Sequence, residues 1–143
     1  MRTAPGTRRG RLSVRVLYQD TDQARVVHHA TYFRYLEAAR LELWRGHGFN
    51  YDEFEKSTGL ALPVVEAQIR YRTPARFDDV LDMETWVGAA TRASVWFESR
   101  LQHGETLVLE ASVRIACASF TDGRIRRIPD ALLDACLDRG HGV

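Results

Sequence analysis

The stretch that decides the fold is ATYFRYLEAARLELWRGHGF, residues 30–49. Projected at about 100° per residue, its polar positions fall into one narrow stripe, formed by Thr31, Arg34, Ala38, Glu42 and Arg45. Apart from Glu37 and Arg40, the remaining positions are mostly apolar or aromatic. We therefore predict a helix that ends near Gly46 or Gly48 and is buried over most of its surface. Glu37 and Arg40 are expected to pair with each other or with the core.

Strand-like segments lie on both sides of this helix. RLSVRVLY, residues 11–18, alternates polar and apolar side chains with the period of two that is typical of a half-buried strand. Four more strand-like segments follow the helix, at residues 62–77, 80–90, 92–105 and 106–120. Residues 50–59 are predicted to be a short polar linker. Pro129 opens a last amphipathic segment, DALLDACLDR, at residues 130–139.

This order of elements predicts an α+β fold in which a curved antiparallel β-sheet wraps around one long central helix. A curved sheet covers both faces of a mostly buried helix, which a flat two-layer packing does not. The outer edge of such a sheet exposes unpaired backbone groups. We therefore expect a homodimer whose sheet is continuous across the two chains, and such dimers can pair further into a dimer of dimers.

Length and composition restrict the class of protein. The 143 residues suit one domain, with the 45% hydrophobic and 27% charged residues of an ordinary globular protein. A net charge of +1 gives no support for nucleic-acid binding, and no apolar run approaches the roughly 20 residues that cross a bilayer. The basic start, residues 1–11, lacks the apolar segment of a secretory signal and is predicted to be a disordered tail before a single domain at residues 12–143. We expect a cytoplasmic protein. Cys117 and Cys136 are too few for a disulfide framework.

A polar loop, YQDTDQARVVHHATYF, residues 18–33, connects the first strand to the helix. Asp20 and Asp22 suit the start of a helix, where carboxylates complement the dipole, so composition alone explains the loop without an active site. A calcium loop is excluded because the required glycine and distal glutamate are missing. His28 and His29 lack a nearby third ligand for a metal site, and no G-x-S-x-G elbow of a serine hydrolase occurs.

The loop and the helix together resemble a known signature. YQDTDQARVVHHATYFRYLEAAR, residues 18–40, is similar to the pattern Y-x-D-T-D-x-x-G-x-V-x-H-x-x-Y followed by E-x-A-R. This pattern is typical of the hotdog-fold acyl-CoA thioesterases of the 4-hydroxybenzoyl-CoA thioesterase and YbgC type. IRYRTPARFDDVLDMET, residues 69–85, resembles the second block of that family, and the likeness covers about residues 12–130. The resemblance implies the hotdog fold and hydrolysis of acyl-CoA thioesters, without a metal or other cofactor.

Position by position, the resemblance implies roles for residues of the loop. Asp22 matches the catalytic carboxylate, His29 matches the histidine at the helix mouth, and Asp20 matches an aspartate that we interpret as structural. Framework positions are matched by Tyr18, Tyr32, Glu37 and Arg40. The expected substrate-binding residues are Arg25, His28, Ala30, Thr31 and Tyr32. Arg25 departs from the family pattern, which commonly has glycine at this position.

The implied chemistry needs few groups. The Asp22 carboxylate either attacks the thioester carbonyl, giving a mixed anhydride, or deprotonates water. Backbone amides around His29 to Thr31 are expected to hydrogen-bond the carbonyl oxygen, a contact worth about 3–4 kcal/mol for one good donor. Candidate arginines for the CoA pyrophosphate are Arg70, Arg72, Arg76 and those of RIRR, residues 124–127. Two alternatives stay open: a thioesterase that acts on acyl carrier protein, as in polyketide release, and a non-catalytic acyl-CoA binding protein.

Overall fold

The computed structural model describes residues 1–140. Within them the chain forms a 3₁₀ turn at Tyr18–Asp20 and the helices α1 (Thr31–Gly46), α2 (Tyr51–Thr58) and α3 (Asp130–Cys136). The strands are β1 (Gly10–Arg15), β2 (Leu60–Ala61), β3 (Val64–Tyr71), β4 (Val80–Ala90), β5 (Val95–His103), β6 (Thr106–Ile115), β7 (Cys117–Ser119) and β8 (Ile125–Arg126). The predicted long helix and its flanking strands are confirmed, and the amphipathic segment after Pro129 forms α3. The end of the predicted domain, residues 141–143, lies outside the described residues.

Five strands form one antiparallel sheet in the order β1-β4-β5-β6-β3, and β2, β7 and β8 form a smaller one. α1 packs against the large sheet through a buried face that includes Leu36, Leu43 and Trp44. Gly10 allows β1 to pass close to α1, because a Cβ at Gly10 would lie only 2.8 Å from Leu43 Cβ. The predicted α+β fold of an antiparallel sheet around a central helix is confirmed, and it places the polar loop at the start of α1.

The core between α1 and the sheet extends to α2, a helix that was not predicted from the sequence. The Trp44 ring meets Phe49, Tyr51 and Phe97 edge to face, with centroid distances of 5.6, 5.5 and 5.7 Å. The prediction of a linker at residues 50–59 is wrong, because most of this segment forms α2. The Asn50 side chain begins this helix by accepting a hydrogen bond from the Glu53 amide at 3.0 Å.

The N-terminal residues lie along the sheet, in contrast to the disordered tail that was predicted for residues 1–11. The Ala4 amide donates to the Val87 carbonyl at 2.9 Å, and the Arg2 carbonyl accepts from the Trp86 indole at 2.9 Å. The Arg2 guanidinium also lies over the Trp96 ring, 4.9 Å from its centroid. These contacts use backbone groups and cation–π interactions rather than buried aliphatic side chains, so hydropathy gave no signal for them.

Within the single chain, the buried face of α1 is narrower than predicted. Glu37 is exposed, whereas Arg40 is buried and its Nε has no hydrogen-bond partner within the described residues. Burial lowers the pKa of Arg40, and the negative charge of Glu37 acts against this shift. The expected Glu37–Arg40 pair is therefore an electrostatic interaction at a distance rather than a direct ion pair. No helix within residues 1–140 has both the length and the apolar character needed to span a membrane.

Candidate active site

The polar loop between β1 and α1 is organised around the buried carboxylate of Asp20. One of its oxygens accepts hydrogen bonds from the Leu17 amide at 2.9 Å and from the Tyr35 hydroxyl at 2.7 Å. The other oxygen pairs with Arg34 in the first turn of α1. The backbone carbonyl of Asp20 accepts from the His28 amide at 2.9 Å. Asp20 thus fixes both ends of the loop to the helix, which is the structural role predicted for it.

The environment of Asp20 favours the ionised carboxylate. Burial alone would raise its pKa, but the hydrogen bonds from Tyr35, Leu17 and Arg34 and the positive charge of Arg34 outweigh burial. The pKa of Asp20 therefore lies below its usual value. Burial and the neighbouring carboxylate raise the pKa of Tyr35, so its hydroxyl stays protonated as a donor.

The turn at residues 22–26 carries the candidate catalytic carboxylate. Thr21 pairs with Val27, and the Asp22 amide donates to the Val26 carbonyl at 3.0 Å, so a short hairpin holds the turn. Asp22 Oδ1 accepts a hydrogen bond from the Ala24 amide at 2.8 Å. Asp22 Oδ2 has no donor within residues 1–140, which leaves this oxygen available to a substrate or to water.

Arg25 occupies a position in this turn that favours glycine. Its φ is 65°, in the left-handed region that side chains disfavour, and its amide donates to the Asp22 carbonyl at 2.9 Å. A tight turn followed by one left-handed residue is a common hairpin loop, and glycine is the usual residue at the left-handed position. This geometry explains the glycine of the family pattern, which Arg25 replaces with a long charged side chain.

An open cleft of about 640 Å³ lies beside the turn. It is lined by Tyr18, Thr21, Asp22, Gln23, Arg25 and Phe77. The rings of Tyr18 and Phe77 meet edge to face, 5.7 Å apart between centroids. Asp22 and Arg25 were candidates from the sequence, whereas Gln23 and Phe77 were missed. Phe77 reaches the cleft because the Val27 amide donates to the Ala75 carbonyl at 2.8 Å, and this hydrogen bond holds the loop before β4 against the hairpin.

The start of α1 presents two unpaired backbone amides, those of His29 and Tyr32, which have no acceptor within the described residues. The Ala30 amide donates to His28 Nδ1 at 3.1 Å, and the Thr31 amide donates to the His28 carbonyl at 2.9 Å. The expectation that the amides from His29 to Thr31 all face a substrate is therefore wrong for Ala30 and Thr31. His28 caps both of these amides, so it shapes the helix mouth through its own hydrogen bonds.

The side chains at the helix mouth differ in their exposure. The exposed rings of His28 and His29 stack with a centroid distance of 4.2 Å. The Tyr32 ring is buried against Tyr35 and Tyr71, so the structure does not support its side chain as a substrate contact. The Tyr71 hydroxyl on β3 donates to the His29 carbonyl at 3.0 Å. This hydrogen bond links the helix mouth to the edge strand of the large sheet.

The arginines that were candidates for the CoA pyrophosphate fall into two groups. Arg72 pairs with Glu110 at 3.1 Å, and Arg126 pairs with Asp122 at 2.8 Å. The arginines that are exposed and form no ion pair within residues 1–140 are Arg70, Arg76, Arg124 and Arg127. In the same part of the chain, no three His, Cys, Asp or Glu side chains are grouped closely enough to hold a metal ion.

Comparisons with known proteins place this chain in a family. The thioesterase-like superfamily matches residues 16–136. The chain is 34% identical to the acyl-CoA thioester hydrolase YbgC of Escherichia coli O6:H1 over 124 residues, which cover 86% of this chain and 92% of that protein. It is 38% identical to the acyl-CoA thioesterase YbgC of Haemophilus influenzae over 107 residues, which cover 75% and 79% of the two chains. The solved structure of a probable thioesterase from Bartonella henselae matches with a TM-score of 0.79 and 31% identity, covering 85% of this chain and 100% of that one. The resemblance noted in the sequence is confirmed, and the chain belongs to the thioesterase-like superfamily.

Proposed function

We propose that the protein hydrolyses acyl-CoA thioesters to a free acid and CoA, with Asp22 as the essential carboxylate. The observation that carries this proposal is the free Oδ2 of Asp22, a residue that lines the cleft and belongs to the same hydrogen-bonded loop as the unpaired His29 amide. The substrate class is supported by the relatives at 34% and 38% identity, which are named as an acyl-CoA thioester hydrolase and an acyl-CoA thioesterase.

In the proposed reaction, the His29 and Tyr32 amides donate to the thioester carbonyl oxygen. These amides and the positive end of the α1 dipole stabilise the negative charge that develops on that oxygen, each well-placed donor being worth about 3–4 kcal/mol. Asp22 takes a proton from water while the water oxygen bonds to the carbonyl carbon. The proton then passes to the sulfur as the C–S bond breaks, which releases the acid and the CoA thiol.

A second route starts with Asp22 bonding to the carbonyl carbon directly. This attack expels the thiolate and forms a mixed anhydride, which water then opens. A single turnover in water labelled with heavy oxygen identifies the second route when water opens the anhydride at the enzyme carbonyl. Opening of the anhydride at the enzyme carbonyl leaves the label in Asp22 and unlabelled acid, whereas the general-base route puts the label only in the acid.

The nucleotide end of CoA is proposed to lie outside the cleft, since the pantetheine arm separates it from the sulfur. The exposed and unpaired Arg70 and Arg76 are the first candidates to bind its phosphates, because Arg72 and Arg126 already pair with carboxylates. His29 is proposed to contribute chiefly through its amide, with its exposed ring next to the bound carbonyl.

The test is thiol release from a panel of acyl-CoA thioesters by the parent and by Asp22→Asn. The asparagine keeps an oxygen that can accept from the Ala24 amide, so the turn is preserved, but it cannot act as a base or a nucleophile. We expect kcat to fall by about 100- to 10,000-fold with little change in Tm. Asp52→Asn, at an exposed ion pair on α2, is the matched control and should retain parent activity.

Other outcomes would identify the competing functions. An Asp22→Asn variant with the parent rate would exclude the proposed mechanism. Release from acyl carrier protein thioesters without release from CoA thioesters would favour the carrier-protein substrate. Thermal stabilisation by acyl-CoA without any thiol release would indicate a binding protein.

A further inference from the structure

The cleft contains one charged group that the proposed reaction does not use. Arg25 lines the cleft next to Asp22, and it has no ion pair within residues 1–140. Asp22 and Arg25 are the only charged residues among those that line the cleft in the described part of the chain. The Arg25 guanidinium is therefore available to a ligand that enters.

The backbone fixes where this guanidinium begins. The hydrogen bond of 2.9 Å from the Arg25 amide to the Asp22 carbonyl closes a turn. In such a turn the two Cα atoms lie within about 7 Å of each other. Arg25 is thus anchored close to the reacting carboxylate. In the proposed reaction Asp22 meets the thioester carbonyl, so Arg25 is within reach of the acyl group, whereas the whole pantetheine arm separates the thioester from the CoA phosphates.

Arg25 has a left-handed φ of 65°, so the backbone conformation disfavours arginine at this position. The side chain projects from the turn into a cleft whose other walls include the exposed rings of Tyr18 and Phe77. Aromatic walls provide apolar contact, and a guanidinium provides a paired donor for a carboxylate. The two together fit an acyl group with an apolar body and an anionic end.

We propose that Arg25 binds a carboxylate on the acyl group, so that the preferred substrates are CoA thioesters of acids that carry a second carboxyl group. This inference rests on the proposed thioesterase function. Arg25 sets specificity, and Asp22 remains the group that performs the chemistry.

The test compares matched pairs of CoA thioesters with and without the second carboxylate. The aromatic pair is 4-carboxybenzoyl-CoA and 4-methylbenzoyl-CoA, and the aliphatic pair is adipoyl-CoA and hexanoyl-CoA. The measured quantity is the ratio of kcat/KM for the carboxylated thioester to that for the neutral one. For at least one pair, we expect the parent ratio to exceed about 10, and Arg25→Gln to lower it at least about tenfold. Arg25→Lys should retain part of the preference, because the charge remains without the paired donors.

Two control variants separate charge from backbone and from bulk electrostatics. Arg25→Gly removes the backbone strain of the left-handed φ together with the charge. Like Arg25→Gln, it must lose the preference for carboxylated thioesters. Arg76→Gln removes an exposed, unpaired arginine from the neighbouring loop, outside the residues that line the cleft. Because Arg76 is a candidate for the CoA phosphates, which both thioesters of a pair share, this variant should change kcat/KM equally for both and leave the ratio unchanged. If Arg25→Gly loses the preference for carboxylated thioesters but Arg25→Gln keeps it, the effect comes from the backbone. This result would overturn the inference.

The remaining outcomes distinguish this inference from the function on which it rests. If Arg25→Gln lowers kcat/KM equally for both thioesters of a pair, Arg25 acts on the CoA moiety or on the reaction itself. This result would overturn the proposed specificity. A parent that hydrolyses neutral thioesters without preferring carboxylated ones would overturn the specificity and leave the thioesterase function intact. A parent that hydrolyses none of the four, nor any member of the wider acyl-CoA panel, would overturn both.

Discussion

At the scale of single residues, the loop at residues 18–33 combines predictable and unpredictable features. The family pattern assigns a structural role to Asp20 and a catalytic role to Asp22. Their surroundings agree with this difference, since Asp20 is buried and Asp22 is exposed and lines the cleft. Phe77 was not predictable, because it joins the cleft only through the docking of one loop on another. The capping of the Ala30 amide by His28 depends on a side-chain rotamer, for which the sequence pattern contains no signal.

Asp20 gives a prediction about stability and pH. Asp20→Asn removes the charge that pairs with Arg34 and weakens the acceptor for the Tyr35 hydroxyl. We expect the free energy of unfolding near pH 7 to fall by about 1–3 kcal/mol. The folded-state pKa of Asp20 lies below the unfolded value of about 3.9, so the ionised carboxylate stabilises the fold above that value. This stabilisation is lost as the pH falls through the folded-state pKa.

Urea denaturation of the parent and of Asp20→Asn, repeated near pH 7 and near pH 3, measures this effect. The difference in unfolding free energy between the two proteins should be smaller at the lower pH. A difference that is constant or larger in acid would contradict the assignment of Asp20 as an ionised hub. Asp52→Asn, in a fully exposed pair with Lys56, is the control and should leave stability nearly unchanged at either pH.

At the scale of elements, periodicity was sufficient for α1 and the long strands and insufficient for α2. Residues 51–58 are mostly polar, so their pattern indicated a linker. Capping residues contained the missing signal. Asn50 precedes Glu53 at the spacing of a helix start, and Gly59 follows with a φ of 68°, the left-handed geometry that ends many helices.

The cap of α2 is testable by Asn50→Ala. Loss of the side-chain acceptor for the Glu53 amide should reduce the free energy of unfolding by about 1 kcal/mol. Asn50→Asp, which keeps an acceptor at the same position, should cost much less. Chemical denaturation of the three proteins measures both effects. Equal stability of the alanine variant and the parent would mean that packing of α2 against Trp44, rather than its cap, determines the helix.

At the scale of the whole molecule, the large sheet has two different edges. β1 is an edge strand that packs against α1, and the N-terminal residues continue along β4 beyond it. β3 pairs on one side with β6, and its residues are exposed or half-buried on both faces. Val64 and Val65 are 47% and 45% exposed there. An edge strand that exposes apolar side chains in this way invites pairing with another chain.

We propose that the predicted homodimer forms at the β3 edge, which also holds the helix mouth through the hydrogen bond from Tyr71 to the His29 carbonyl. Light scattering on a sizing column should give a mass of at least two chains for the parent. Val65→Lys replaces an exposed apolar side chain on this edge with a charged one and should produce monomers. Because Tyr71 connects this edge to His29, we also expect the monomer to lose thioesterase activity.

Ile125→Lys provides the matched control, since Ile125 is an exposed apolar residue on β8, which belongs to the smaller sheet and does not pair with β3. This variant should keep both the parent mass and the parent activity. A monomeric parent, or a Val65→Lys variant that retains the parent mass, would show that the β3 edge is not an interface. A monomeric Val65→Lys variant with full activity would confine the role of the interface to assembly, because the loop at residues 18–33 would then be complete within one chain.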